Sequence, residues 1–140
     1  MNIMVINGPN LNLLGVREPD IYGKETFQDL LALLERTGVE ENLQIAQFQS
    51  NHEGAIIDAI QSCLNTVDAI VINPAAYTHT SIAILDALKA AVEVHISQVN
   101  EREPFRQISY PGMYCEKTIQ GQGLDGYRQA ILYLKEKYSK

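Results

Sequence analysis

Three groups of side chains in this 140-residue sequence are of types that move protons, and their spacing suggests how. The first is Asn10, Arg17 and Tyr22, spread through the stretch Asn7–Gly23, N-G-P-N-L-N-L-L-G-V-R-E-P-D-I-Y-G. A phenol ionises near pH 10, so a tyrosinate base at neutral pH is disfavoured by about 4 kcal/mol, much of which a close guanidinium can supply. On spacing alone, a surface arginine and a tyrosine packing its ring on the loop is the plainer reading. The second group is Glu93 with His95, two apart in a strand otherwise made of valine and isoleucine, so both point to one face. A carboxylate beside an imidazole fixes its tautomer and raises its pKa, which suits a general acid. The alternative is a polar pair satisfied by its neighbours, but inside a strand covered on both faces such a pair is costly unless used or well paired.

The third group runs from Asn73 to Ser81. It offers an amide, the imidazole of His79, hydroxyls, and a helix N-terminus whose free backbone N–H groups favour an anion such as a carboxylate. N-capping by Thr80 or Ser81 explains the hydroxyls and leaves His79 without a role. Arg102 and Arg106 lie in a charged loop. A solvated face explains one of them, and Arg106, beside Phe105, is expected to be the one turned inward.

The elements that must position these groups are legible as short apolar runs alternating with helical patterns. Ile3–Ile6, Leu43–Phe48, Ala69–Ile72 and Val92–Ile96 read as strands, with a weaker one around Thr118–Gln120. Phe27, Leu30, Leu31 and Leu34 follow helical spacing, with Thr26 and Asp29 as a capping box and Gly38 near the stop. A second helix holds Ile56, Ile57, Ile60 and Leu64 and is opened by Ser50 or Asn51. A third holds Ile82, Leu85 and Leu88, and a last one Tyr127, Ile131, Leu134 and Tyr138. This order predicts a single α/β domain over 1–140, a doubly wound, flavodoxin-like parallel sheet of about five strands with helices on both faces. Ligands of such sheets bind at the carboxyl ends of the strands, which is where the polar groups above gather. Asn7–Gly23 is expected to be an active-site loop without secondary structure, anchored by Leu11, Leu13, Leu14, Val16 and Ile21.

Several functions are disfavoured. A net charge of −6 argues against nucleic acid and against an anionic membrane surface. No apolar run approaches the roughly 18–20 residues of a membrane span, and M-N-I-M-V-I-N-G lacks the basic start of a signal peptide. Cys63 and Cys115 suggest free thiols in a reducing cytoplasm. The histidines and cysteines show no metal-ligand spacing, so no metal is expected. Gly121–Gly126 fits G-x-G-x-x-G but has no following strand, so it reads as a turn into the last helix. Walker A and G-x-S-x-G patterns are absent. A flavodoxin-like module holding FMN or a phosphorylated ligand would need a Ser/Thr/Gly phosphate loop after strand one, and N-G-P-N-L-N-L-L is too apolar for that.

Taken with Q-S-N-H-E-G (49–54), I-N-P-A-A-Y-T-H-T-S (72–81), E-V-H-I-S (93–97), R-E-x-F-R (102–106) and G-x-G-x-x-G-Y (121–127), the Asn7–Gly23 stretch closely resembles the type II 3-dehydroquinate dehydratases. The resemblance implies anti elimination of water from 3-dehydroquinate to give 3-dehydroshikimate, a step of the shikimate pathway of aromatic amino-acid biosynthesis, without metal, cofactor or Schiff-base lysine. It implies Tyr22 as base, Arg17 keeping it as tyrosinate, Asn10 stabilising the enolate through a water, and His95 as acid oriented by Glu93. Asn73, His79, Asp86, Ile96, Ser97 and Arg106 would hold the substrate, and Arg17–Gly23 would be a mobile lid. It also implies a homododecamer assembled from trimers. Two departures stand near the C-terminus: the last strand, Cys115–Gln120, is more polar than is usual in the family, and Gln107-Ile108-Ser109 stands where a His-Ser pair is common.

Overall fold

Ile3 and Val5 face one side of the first strand and Met4 and Ile6 the other, and this alternation sorts the core into two layers. In the computed structural model, which describes residues 1–88 and 91–139, the elements run β1 (Asn2–Asn7), α1 (Pro19–Tyr22), α2 (Phe27–Glu41), β2 (Gln44–Gln49), α3 (Glu53–Ser62), β3 (Ala69–Asn73), α4 (Ile82–Ala87), β4 (Ala91–His95), β5 (Lys117–Gln120) and α5 (Asp125–Tyr138). The strands form one parallel sheet ordered β2-β1-β3-β4-β5. That is the flavodoxin-like order, with its switch point between β1 and β3. Leu30 and Leu34 of α2 and Tyr127, Ile131 and Leu134 of α5 bury against Ile3, Val5, Val71, Val92 and Val94. On the other face, Ile56 and Ile60 of α3 and Ile84 of α4 bury against Ile6, Ile70 and Ile72. The polarity of Lys117-Thr118-Ile119-Gln120 follows from its position: β5 is an edge strand, and within it only Ile119 is buried.

Helix α2 starts as expected, Thr26 Oγ1 accepting from the Asp29 N–H at 3.1 Å and the Asp29 carboxylate from the Thr26 N–H at 2.7 Å. Gly38 lies inside α2, which runs to Glu41 and ends on Asn42 at φ 54°, a left-handed cap that asparagine tolerates. Two boundaries differ from the sequence reading, the start of α3 and the end of α4. Helix α3 is not opened by Ser50 or Asn51: it begins at Glu53, and Ser50 Oγ instead accepts from the His52 N–H at 3.0 Å. Helix α4 is capped as expected by Ser81, which accepts from the Ile84 N–H at 2.9 Å, but it is only six residues long and ends at Ala87, before Leu88. Asn7–Gly23 is also less irregular than expected, holding a 3-10 turn at Leu11–Leu13 and the one-turn α1. Leu11 and Leu14 anchor it; Leu13, Val16 and Ile21 stay exposed. Among the described residues no helix is long and apolar enough to cross a membrane.

The carboxyl ends of β1 and β3, adjacent in register at Asn7 and Asn73, are tied together from beneath. The buried Tyr127 hydroxyl donates to Asn7 Oδ1 at 2.6 Å and accepts from Asn73 Nδ2 at 2.9 Å. Burial pushes this phenol well above its usual pKa, so it is a structural hydroxyl. Just beyond, Gly8 donates to the Asn73 carbonyl at 2.8 Å, and a Cβ at Gly8 would overlap the Pro74 carbonyl oxygen. Tyr127→Phe strands two buried amides and should lower stability by about 1–3 kcal/mol, read as a lower urea midpoint at unchanged slope. An unchanged midpoint would show that the hydroxyl contributes nothing.

Candidate active site

A cleft with an empty volume of about 750 Å3, its open mouth included, lies over the carboxyl ends of β1, β3 and β4. Its lining takes Asn10, Arg17 and Tyr22 from the first connection, Asn73 and His79 from the end of β3, and His95, Ile96, Ser97 and Arg106 from the end of β4. Asp86 does not join them: it sits exposed on α4, outside the cleft. Glu93 stands behind His95 rather than in the lining.

One wall carries the phenol. Tyr22 ends α1 and leans on the core cluster that contains Leu11 and Leu14. Its oxygen accepts from Arg102 Nη1 at 3.0 Å, and the Arg102 guanidinium lies 5.5 Å from the ring centroid, within cation–π reach. Arg17 shares the cleft but pairs with Glu18 at 3.2 Å, with both side chains nearly half exposed. Arg102 and Arg106 are both turned inward, a correction to the expectation that only Arg106 would be. Arg102 is held from behind by Gln107, whose amide donates to the Arg102 carbonyl at 3.1 Å, and Arg106 by Glu103 at 2.8 Å. The R-E-x-F-R motif contained the signal for Arg102, but the contact spans 80 residues of sequence, so no local pattern reports it.

The other wall carries the imidazole. Glu93 Oε1 lies 3.1 Å from His95 Nε2. Burial alone would raise the Glu93 carboxyl, but the hydrogen bond and charge of His95, with hydrogen bonds from Ser109 and Thr118, outweigh it and hold the group below the usual carboxyl range. An ionised carboxylate only accepts, so Nε2 carries a proton and Nδ1 is the ring nitrogen left for the cleft. His79 Nδ1 lies 2.8 Å from the Ile108 carbonyl, which only accepts, so Nδ1 carries a proton there. Burial is the chief cause that depresses the His79 pKa, with Arg106 and His95 adding to it, and it favours the neutral ring with a lone pair on Nε2.

The floor is rigid. Asn10 is left-handed at φ 68°, its N–H donating to Asn51 Oδ1 at 3.0 Å. Gln49 donates to the Gly8 carbonyl at 3.1 Å. The Q-S-N motif after β2 therefore supports the first loop from outside the cleft. Ala75, at φ 53°, also lines the cleft, its N–H donating to Asn73 Oδ1 at 3.1 Å.

Fold and cleft together are those of a small flavodoxin-like α/β enzyme. Residues 1–135 match the family model described as dehydroquinase class II, and the chain belongs to that family. It is 53% identical over 136 residues to a 3-dehydroquinate dehydratase of Lachnoclostridium phytofermentans, covering 94% of each chain. To a catabolic 3-dehydroquinase of Talaromyces marneffei it is 50% identical over 142 residues, covering 99% of this chain and 81% of the relative. The crystal structure of a type II dehydroquinase from Butyrivibrio crossotus superposes with a TM-score of 0.93 at 52% identity, covering 96% and 97% of the two chains.

The Glu93 carboxyl fixes a pH dependence. Its folded pKa lies below the usual 4.5, so under acid conditions the unfolded chain binds the proton first and stability rises with pH. The stability it contributes is complete above the usual carboxyl value and is lost as pH falls through the depressed one. Denaturant titrations should show the wild-type advantage over Glu93→Gln shrinking on acidification; a constant difference would contradict an ionised Glu93.

Proposed function

We propose that this protein is a hydro-lyase that dehydrates 3-dehydroquinate to 3-dehydroshikimate, the shikimate-pathway step its family and relatives are named for. The observation that carries the mechanistic part is the pairing of each reactive group with its own partner in one cleft, Tyr22 with Arg102 and His95 with Glu93. Elimination of water β to a ketone needs a base for the α-proton, support for the enolate and an acid for the departing hydroxyl.

Tyr22, as phenolate, takes the α-proton. A guanidinium hydrogen-bonded to the oxygen favours the charged form, and Arg102 makes that contact while Arg17 shares the wall. The carbon–hydrogen pair moves into an enolate, which Asn10 supports through a bound water. The carbon–oxygen bond then breaks, and His95, as the imidazolium with both nitrogens protonated, gives its Nδ1 proton to the leaving hydroxyl, which departs as water and leaves the ring neutral with its remaining proton on Nε2. Asn73, His79, Ile96, Ser97 and Arg106 hold the substrate's carboxylate and hydroxyls. Arg17–Gly23 is the lid, tied to the opposite loop by the Arg102–Tyr22 contact, while the exposed Arg17–Glu18 pair lies within the segment and holds it to nothing else. No step requires a metal, cofactor or imine.

A cytoplasmic location fits the two free cysteines. Assembly as a dodecamer of trimers fits the exposed Ile82 on α4 and Met113 on the adjoining 111–113 turn. Light scattering should return a mass many times the 15.6 kDa of one chain, and a monomer would refute it.

Purified protein in buffer with a chelator should convert 3-dehydroquinate to a conjugated enone, seen as rising ultraviolet absorbance; no turnover by folded protein would reject the assignment. Tyr22→Phe should fold normally and lose at least about 10²–10⁴-fold in kcat, the usual worth of an acid–base group. Wild-type rates would remove Tyr22 from the base role. Borohydride added with substrate should leave the enzyme active, and irreversible loss would indicate an imine.

A further inference from the structure

Glu93 is fully buried on the β4 face where a doubly wound sheet normally carries a helix, yet α4 is only six residues long. The cover over Glu93 comes from two other segments. Ser109 Oγ donates to Glu93 Oε1 at 2.6 Å while accepting from the Gly112 N–H at 2.9 Å. Thr118 Oγ1, on the edge strand β5, donates to Glu93 Oε2 at 3.1 Å. The serine's lone-pair side is occupied by an N–H, which leaves its own proton directed at the carboxylate. At Gly112 the backbone runs so close that a Cβ would overlap Glu93 Oε2 and crowd Ser109 Oγ. The cradle is anchored beyond itself, because Tyr110 donates to the Thr78 carbonyl at 2.9 Å and the Ile108 carbonyl accepts from His79.

We infer that Ser109, Thr118 and Gly112 form a carboxylate cradle that positions Glu93, and through it the acid His95, for carbon–oxygen bond cleavage. This rests on the dehydration proposed above. None of the three lies in the cleft lining, so each is a positioning residue. Among the described residues the donors to Glu93 besides His95 are Ser109 and Thr118, and they fix both oxygens so that Oε1 meets His95 Nε2 in one orientation. Without them the carboxylate can rotate, and His95 Nδ1 loses its aim at the leaving hydroxyl. Removal of the α-proton at Tyr22 does not depend on that aim. The cradle therefore acts on the second half of the reaction alone.

The test separates the two halves. Wild type, Ser109→Ala, Thr118→Val, Thr118→Ser and the double variant Ser109→Ala/Thr118→Val are assayed in deuterated buffer. Product formation is followed by absorbance, and deuterium at the α-carbon of recovered substrate by NMR. The double variant should lose about 10²-fold in kcat, within the total worth of a general acid, with KM within about threefold. Exchange per product formed should rise well above wild type as the enolate returns its proton instead of expelling hydroxide. Thr118→Ser keeps the hydroxyl and should restore the wild-type ratio that Thr118→Val disturbs. Elimination and exchange falling in parallel, or an unchanged ratio in both single variants, overturns the cradle. If Ser109→Ala does not fold, the Thr118 pair on the exposed edge decides alone. Failure of the dehydration reading shows differently: wild type then neither eliminates nor exchanges.

Discussion

The rest of the structure is arranged around a carboxylate with no exposed surface, Glu93 in the middle of β4. Removing such an ion from water costs several kcal/mol even after relaxation, and in a valine-rich strand nothing local offsets it. The compensation is three donors from three places: His95 two residues on, Ser109 in the following loop, and Thr118 on the neighbouring strand. Each has a structural consequence. The short α4 leaves room for the Ser109–Met113 segment, Gly112 lets its backbone approach, and β5 must lie beside β4 for Thr118 to reach. The same ion accepts the His95 Nε2–H and so leaves Nδ1 to the cleft.

The two walls of the cleft differ in how firmly they are held. Asn73 and Asn10 stand on a strand end and a left-handed turn tied to Tyr127, Gly8 and Asn51, and His95 ends β4 held by Glu93. The Arg17–Tyr22 segment has one helical turn, a surface ion pair and the Arg102 contact. Local opening is drawn from segments with few buried contacts. In the proposed mechanism a fixed acid opposite a movable base would let substrate enter and water be excluded without disturbing the buried Glu93–His95 pair.

Much of this was legible in the sequence because it is periodic or local. Short apolar runs such as Ile3–Ile6 and Ala69–Ile72 marked the strands, and spacing of two placed Glu93 and His95 together. The capping box at Thr26 and Asp29 is a four-residue pattern. The missed features are tertiary. Arg102 looked like a solvated charge because its partner Tyr22 lies 80 residues away. Ser109 and Thr118 are ordinary loop and edge-strand residues until the sheet brings both to one carboxylate. The resemblance named the reactive groups; it carried no information on what compensates the buried charge.

The central claim is that an ionised Glu93 holds His95 with its proton on Nε2 and Nδ1 toward the cleft. Nitrogen-15 NMR of histidine-labelled protein, with the His95 ring assigned by its loss in His95→Gln, reads this directly. The expected result is a directly bonded proton on His95 Nε2 wherever the protein is folded and Glu93 ionised. A neutral ring carrying its proton on Nδ1, with Nε2 bare beside Glu93, would contradict it.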